Sequence, residues 1–273
     1  MKHMQLCAAV FGGLLVAVAL DATAATVSTA TGANAPAIQG TVDTFRLALG
    51  VNNGVGNSFP SGRREINWDG VPDSSAQPNF LPPDFFNTTS PRGVVFSALE
   101  YETGSGLNDF MVSADSNNPT MTQVRFGNIN ASYAAGFQTF SAERLLHIRN
   151  AHAMDVLFFV PGTTIPATTR GFGVIFTDVD GTSAADRTVI RCYGPDASQI
   201  IAASVPAFNN GLTFIGLLTE GNERFARCNI EVGNSRLDAG LSDGVGGVDV
   251  VAMDDFIYGE PISIFQIFAD SFD

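Results

Sequence analysis

From residue 93 onward the chain repeats one pattern: short runs rich in Val, Ile and Phe, cut apart by Gly, Asn, Asp and Pro. Such runs lie at 93–98, 110–114, 154–160, 172–177, 188–193, 199–205, 212–218, 225–232 and 248–258. Many short strands at this spacing predict an all-β protein, and we expect a jelly-roll-like β-sandwich. No sustained helical periodicity or internal repeat competes with that reading. The 22 Phe suit a thick core between two sheets. Upstream, 41–49 fits one short N-terminal helix, with Val42, Phe45 and Leu49 on one face and Gly50 as its C-terminal cap. Residues 63–68 have strand character, and 69–91 form a long loop pinned by Phe80, Leu81, Phe85 and Phe86. Residues 143–153 read as a helix or an irregular crossing.

The ends of the chain look different. Lys2 and His3 precede an apolar run of 14 residues, 7–20, and Ala22-Thr23-Ala24 offers a cleavage site. Residues 1–25 are therefore expected to be a signal peptide, since the run is short for a bilayer span. The predicted location is secreted, periplasmic or cell-surface, with no membrane span in the mature chain. Residues 26–40 read as a flexible leader, 41–261 as one sandwich domain, and 262–273 as a C-terminal tail or edge strand. Lys2 is the sole lysine, so the positive charge after cleavage is all arginine. The formal charge of −13 excludes a nucleic-acid surface, which needs basic residues.

Two cysteines follow the signal, Cys192 and Cys228, each within a predicted strand. An even count in an exported chain predicts a disulfide, the alternatives being two buried thiols or a metal pair.

Signals for catalysis are sparse. His147 and His152 are five apart, and no Glu follows the first, so a zinc-protease helix is excluded. Gly56-Asn57-Ser58-Phe59-Pro60 lacks the last glycine of a nucleophile elbow. Glu100 with Glu102, and Glu220 with Glu223, are the nearest approach to a glycosidase pair, without an evident sugar-stacking cleft.

Acidic strand ends carry the strongest site signal. In 171–180, Phe172, Val174 and Phe176 share a face with Asp178 and Asp180. In 248–258 both faces are apolar, yet Asp254 and Asp255 interrupt them. Buried carboxylates need arginine, hydrogen bonds or a cation. Structural calcium (Ca2+) at Asp178, Asp180, Asp254 and Asp255 is one expectation; pairing by Arg170 or Arg227 is the other. Asp186 and Asp249 are expected to stand apart from such a site. Trp68, the single tryptophan, is expected in the core, with a sugar-stacking ligand platform as its alternative.

The strings RREINWDGVP, FFNTTSPRGVVFS, FFVPGTTIPATTRGFGVIFTDVD and VDVVAMDDFIYGEP resemble a group of exported bacterial β-rich proteins with no established activity. The resemblance covers about residues 38–261 and implies fold and export, but no catalytic residues. Cys192 and Cys228 stand where such relatives are expected to carry apolar residues. The expected function is a non-catalytic exported module that binds an extracellular glycan or another cell-surface component, or serves in adhesion or a matrix. An extracellular hydrolase using loop carboxylates, and a self-associating coat, are the alternatives.

Overall fold

The computed structural model describes residues 25–99, 109–181 and 188–265. The predicted signal peptide, Glu100, Glu102, Asp186 and residues 266–273 of the tail lie outside the described residues.

The named strands pair antiparallel in two main sheets. The larger has seven strands, in the order β1 (Thr26–Gly32), β11 (Phe208–Leu218), β8 (Gly171–Val179), β13 (Ala252–Gly259), β5 (Leu146–Ile148) and β4 (Phe110–Val112), with β2 (Arg63–Ile66) also on β13. The smaller runs β10 (Gln199–Ser204), β9 (Val189–Tyr193), β12 (Arg227–Glu231), β6 (Ala153–Phe158) and β3 (Val94–Ala98). A two-stranded ribbon joins β7 (Ala167–Thr168) to β14 (Ile262–Ser263). The protein is thus the expected β-sandwich.

Its main core lies between the sheets. Phe172, Val174, Phe176, Ile215 and Phe256 from the larger sheet meet Phe96, Val156, Phe158, Ile190 and Ile230 from the smaller. Trp68 is 1% exposed within this core, with ring centroids 5.1 Å from Phe256 and 5.5 Å from Phe86. Its Nε1 donates to the Asp254 carbonyl at 2.7 Å. A ring so enclosed cannot stack on a sugar, so the ligand-platform alternative for Trp68 is corrected to a core residue. The neighbouring arginines pair with acids: Arg63 with Glu65, and the fully buried Arg64 with Glu260, through two bonds of 2.6 Å.

The outer face of the larger sheet is covered by α1 (Ala35–Leu49). Ile38, Val42, Phe45 and Leu49 form its buried stripe, against Ile175, Phe214 and Ile257. This third layer explains why all nine residues of β8 and all eight of β13 are buried. Two shorter helices, α2 (Phe85–Thr88) and α3 (Ala131–Gly136), sit in the long connections.

The flexible leader is a correction. Residues 26–32 form β1, in register with β11 from Thr26↔Leu218 to Gly32↔Leu212. The helix begins at Ala35, six residues before the expected start, because Pro36 suits its first turn. Residues 143–153 contain neither a helix nor a mere crossing, since β5 occupies their centre. No helix among the described residues is long and apolar enough to cross a membrane.

Candidate metal centre and cleft

Both acidic pairs arise where strand register shifts. In β8, Thr177 pairs with Leu212 but Val179 pairs with Phe208, so register shifts between them. Asp178 takes the left-handed φ of 66° there. Val179, not Asp178, continues the core-facing series of Phe172, Val174 and Phe176. In β13, Met253 pairs with Phe176 and Phe256 with Val174, leaving Asp254 and Asp255 opposite Ile175 alone. Met253 and Phe256 both face the main core, and the two aspartates between them escape it. The strict alternation expected from sequence breaks at both places.

The slips send the two pairs to different partners, and the expected four-carboxylate site is corrected accordingly. Asp254 accepts from the Phe140 amide at 2.6 Å and from Ser141 Oγ at 3.1 Å. Asp255 accepts from Ser141 Oγ at 2.8 Å and lies 3.4 Å from Arg46. Arginine does serve here, but it is Arg46 from α1. Arg170 instead donates to the Ala48 carbonyl, and Arg227 pairs with Asp155 at 2.8 Å. Burial, then the charge of Asp255, raises the pKa of Asp254 well above the carboxylate range. Burial also pushes Asp255 up to about 6, against the lowering effect of Ser141, Asp254 and Arg46.

Asp178 and Asp180 meet a third acid, Asp243, from the long β12–β13 connection. One carboxylate oxygen from each falls within 4.8 Å of the others. These three residues could hold a metal ion. Asp178 is 1% exposed, and its Oδ1 accepts the Asn210 amide at 2.6 Å. A β-carbon on Gly136 would collide with its Oδ2, so glycine there admits the carboxylate. Asp243 Oδ1 accepts the Val250 amide at 2.7 Å. Burial foremost, with the charges of Asp178 and Asp180, pushes Asp243 up to about 7. Asp180 is raised by burial and by Asp178.

Asp249 does not stand apart from the cluster. It is 3% exposed and accepts from the Gly181 amide at 3.2 Å and the Asp180 amide at 3.5 Å. Burial first, then the charges of Asp180 and Asp178, pushes it up to about 7 against those amide bonds. Sequence reasoning missed Asp243 because it lies 63 positions beyond Asp180 in a Gly-rich loop without strand pattern. The loop string SDGVGGVD was its one available signal.

The same connection borders a cleft of about 220 Å³. Asn150, Ala151 and His152 form one wall; Asn234, Ser235, Arg236 and Leu241 form the other. His147 is remote from such chemistry: it is fully buried, its Nδ1 lies 2.6 Å from the Ile148 carbonyl, and burial lowers its pKa to about 4. It is a neutral core histidine. Glu220 and Glu223 lie in the turn after β11 and do not line the cleft.

Cys192 and Cys228 form the expected disulfide. They face each other directly in the β9–β12 register, with Cα atoms 4.1 Å apart.

Fold and site together define an antiparallel β-sandwich with a carboxylate group competent for a cation and a polar cleft nearby. No known family matches the chain, and no curated protein matches it. Among solved structures, a mutant of a family 29 carbohydrate-binding module is similar over 61% of this chain and 91% of its own, at 9% identity and a TM-score of 0.25. At that TM-score the likeness carries no argument about this chain's ligand.

Proposed function

We propose that the protein is an exported, non-catalytic β-sandwich module that binds a carbohydrate in the cleft, with calcium as the structural ion of the carboxylate group. The lining of the cleft carries this reading. Asn150, His152, Ser235 and Arg236 offer amide, imidazole, hydroxyl and guanidinium groups beside Leu241. Sugar hydroxyls donate and accept at once, and side-chain amides and hydroxyls match them on both counts. A glycosidase instead needs two carboxyl groups flanking the bond to be cut, and the described lining residues include no acid. Calcium suits the cluster because its donors are all oxygens from hard carboxylates. The disulfide and the apolar N-terminal run support export.

The test is a glycan array with the mature chain, followed by calorimetry on any oligosaccharide retained. Asn150→Ala and Arg236→Ala are each expected to weaken binding by about tenfold, the loss of one or two polar contacts. A panel of glycosidase substrates should show no turnover. Absence of binding across the array, or turnover that survives both substitutions, would overturn the reading.

A further inference from the structure

A carboxylate as buried as Asp178 ordinarily has both oxygens engaged. Its Oδ2 accepts from no N–H or hydroxyl among the described residues, and neither does the buried Oδ1 of Asp180. The ion pairs among the described residues go to other acids: Asp43, Glu65, Asp255, Glu260, Asp73, Asp115, Glu231, Asp155 and Asp238. Among the described residues, two orphaned oxygens beside a third carboxylate therefore lack a positive partner, and a cation would supply it.

The three ligands come from two places. Asp178 lies in β8 and Asp180 directly follows it, whereas Asp243 rides on the connection at 233–249. That connection is tied to itself by Asn234, a cleft residue. The Asn234 amide donates to the Asp249 carbonyl at 3.0 Å, its Oδ1 accepts the Asp249 amide at 3.0 Å, and its Nδ2 donates to the Gly247 carbonyl at 2.8 Å. Leu241, also in the cleft, is two residues from Asp243, and its carbonyl accepts Tyr133 OH at 2.6 Å. Anchoring Asp243 thus fixes the wall that carries Asn234 and Leu241.

We propose that a divalent cation of calcium type bridges Asp178 and Asp180 to Asp243, thereby setting the 234–241 wall and making ligand binding in the cleft calcium-dependent. The ligand half of this inference rests on the carbohydrate reading above; the metal half does not.

The experiment uses the full mature chain, freed of metal with a chelator and then titrated with calcium chloride alone. Calorimetry should show uptake at one site, weakened about tenfold or more in Asp180→Asn and in Asp243→Asn. Asp254→Asn should bind calcium as the parent does, which also controls for general loss of acid. Amide hydrogen exchange across 234–249 should slow with calcium in the parent and not in the two site variants. Oligosaccharide affinity should fall about tenfold on chelation. No uptake, equal uptake in both site variants, or uptake without change in exchange at 234–249 would overturn the bridge. Protection of 234–249 without oligosaccharide binding in either state would uphold the bridge and sink the carbohydrate reading. Equal oligosaccharide binding with and without calcium would sink the coupling and leave the carbohydrate reading standing.

Discussion

At the scale of single residues, the adjacent aspartates in β13 show how burial is reconciled with charge. Asp254 is fully buried with another carboxylate beside it, so its neutral form is favoured to well above the ordinary carboxylate range. As an acid it donates to Asp255, which keeps its charge toward Arg46 and Ser141. Both folded pKa values are raised, so the native state binds more protons than the unfolded chain. The stabilisation from this protonated pair is complete below the ordinary carboxylate range of about 4 and is lost as pH rises through about 6 and beyond. Asp254→Asn keeps an amide donor toward Asp255 and an oxygen for the Phe140 amide, yet cannot ionise. We expect the melting temperature of the parent to decline more steeply from pH 5 to 8 than that of Asp254→Asn, with the variant at least as stable at pH 8. Asp243 and Asp249 contribute to both curves alike, so the difference in slope isolates the pair. Parallel curves would show that Asp254 is ionised in the fold.

At the scale of elements, hydrophobic pattern made the central strands legible and the edges illegible. β8 and β13 announce themselves because a helix on one face and a sheet on the other leave no polar side. β1 reads TVSTATG, an edge strand of small polar residues, and nothing in its composition separates it from a loop. The stripe Val42, Phe45 and Leu49 was readable, but Ile38 behind Pro36 looked like linker. Each register shift defeated face assignment, since alternation cannot foresee a bulge. The disulfide was legible from compartment and parity, with its cysteines expected on neighbouring strands, and the two strands are indeed directly paired. It joins β9 to β12 across 36 positions, which chain entropy values at about 3–4 kcal/mol. For a chain of this size that corresponds to about 6–16 °C. The Cys192→Ala/Cys228→Ala double variant should melt lower by that amount while keeping its far-ultraviolet spectrum. An unchanged midpoint would mean that the β9–β12 pairing is already fixed in the unfolded ensemble.

At the scale of the whole molecule, the charge balance imposes two distinct responses to ions. The formal charge is −13, and the cations that offset it are mostly committed to particular acids: Arg64 to Glu260, Arg144 to Asp73 and Asp115, Arg191 to Glu231. The surplus of carboxylates repels itself in the compact state, and added salt screens that repulsion over a Debye length of about 8–10 Å near physiological strength. Sodium chloride should therefore raise the melting temperature gradually, and to the same degree in the parent, Asp180→Asn and Asp243→Asn. Calcium acts by mass action at a defined site, so its increment follows the logarithm of concentration above the dissociation constant and persists in a background of sodium chloride. That increment should appear in the parent and vanish in the two variants. Melting curves in a matrix of the two salts separate the effects. A calcium increment erased by sodium chloride alone would reduce the ion to a screening agent. A fall in melting temperature with sodium chloride would show that the arginine pairs outweigh the surplus of acid.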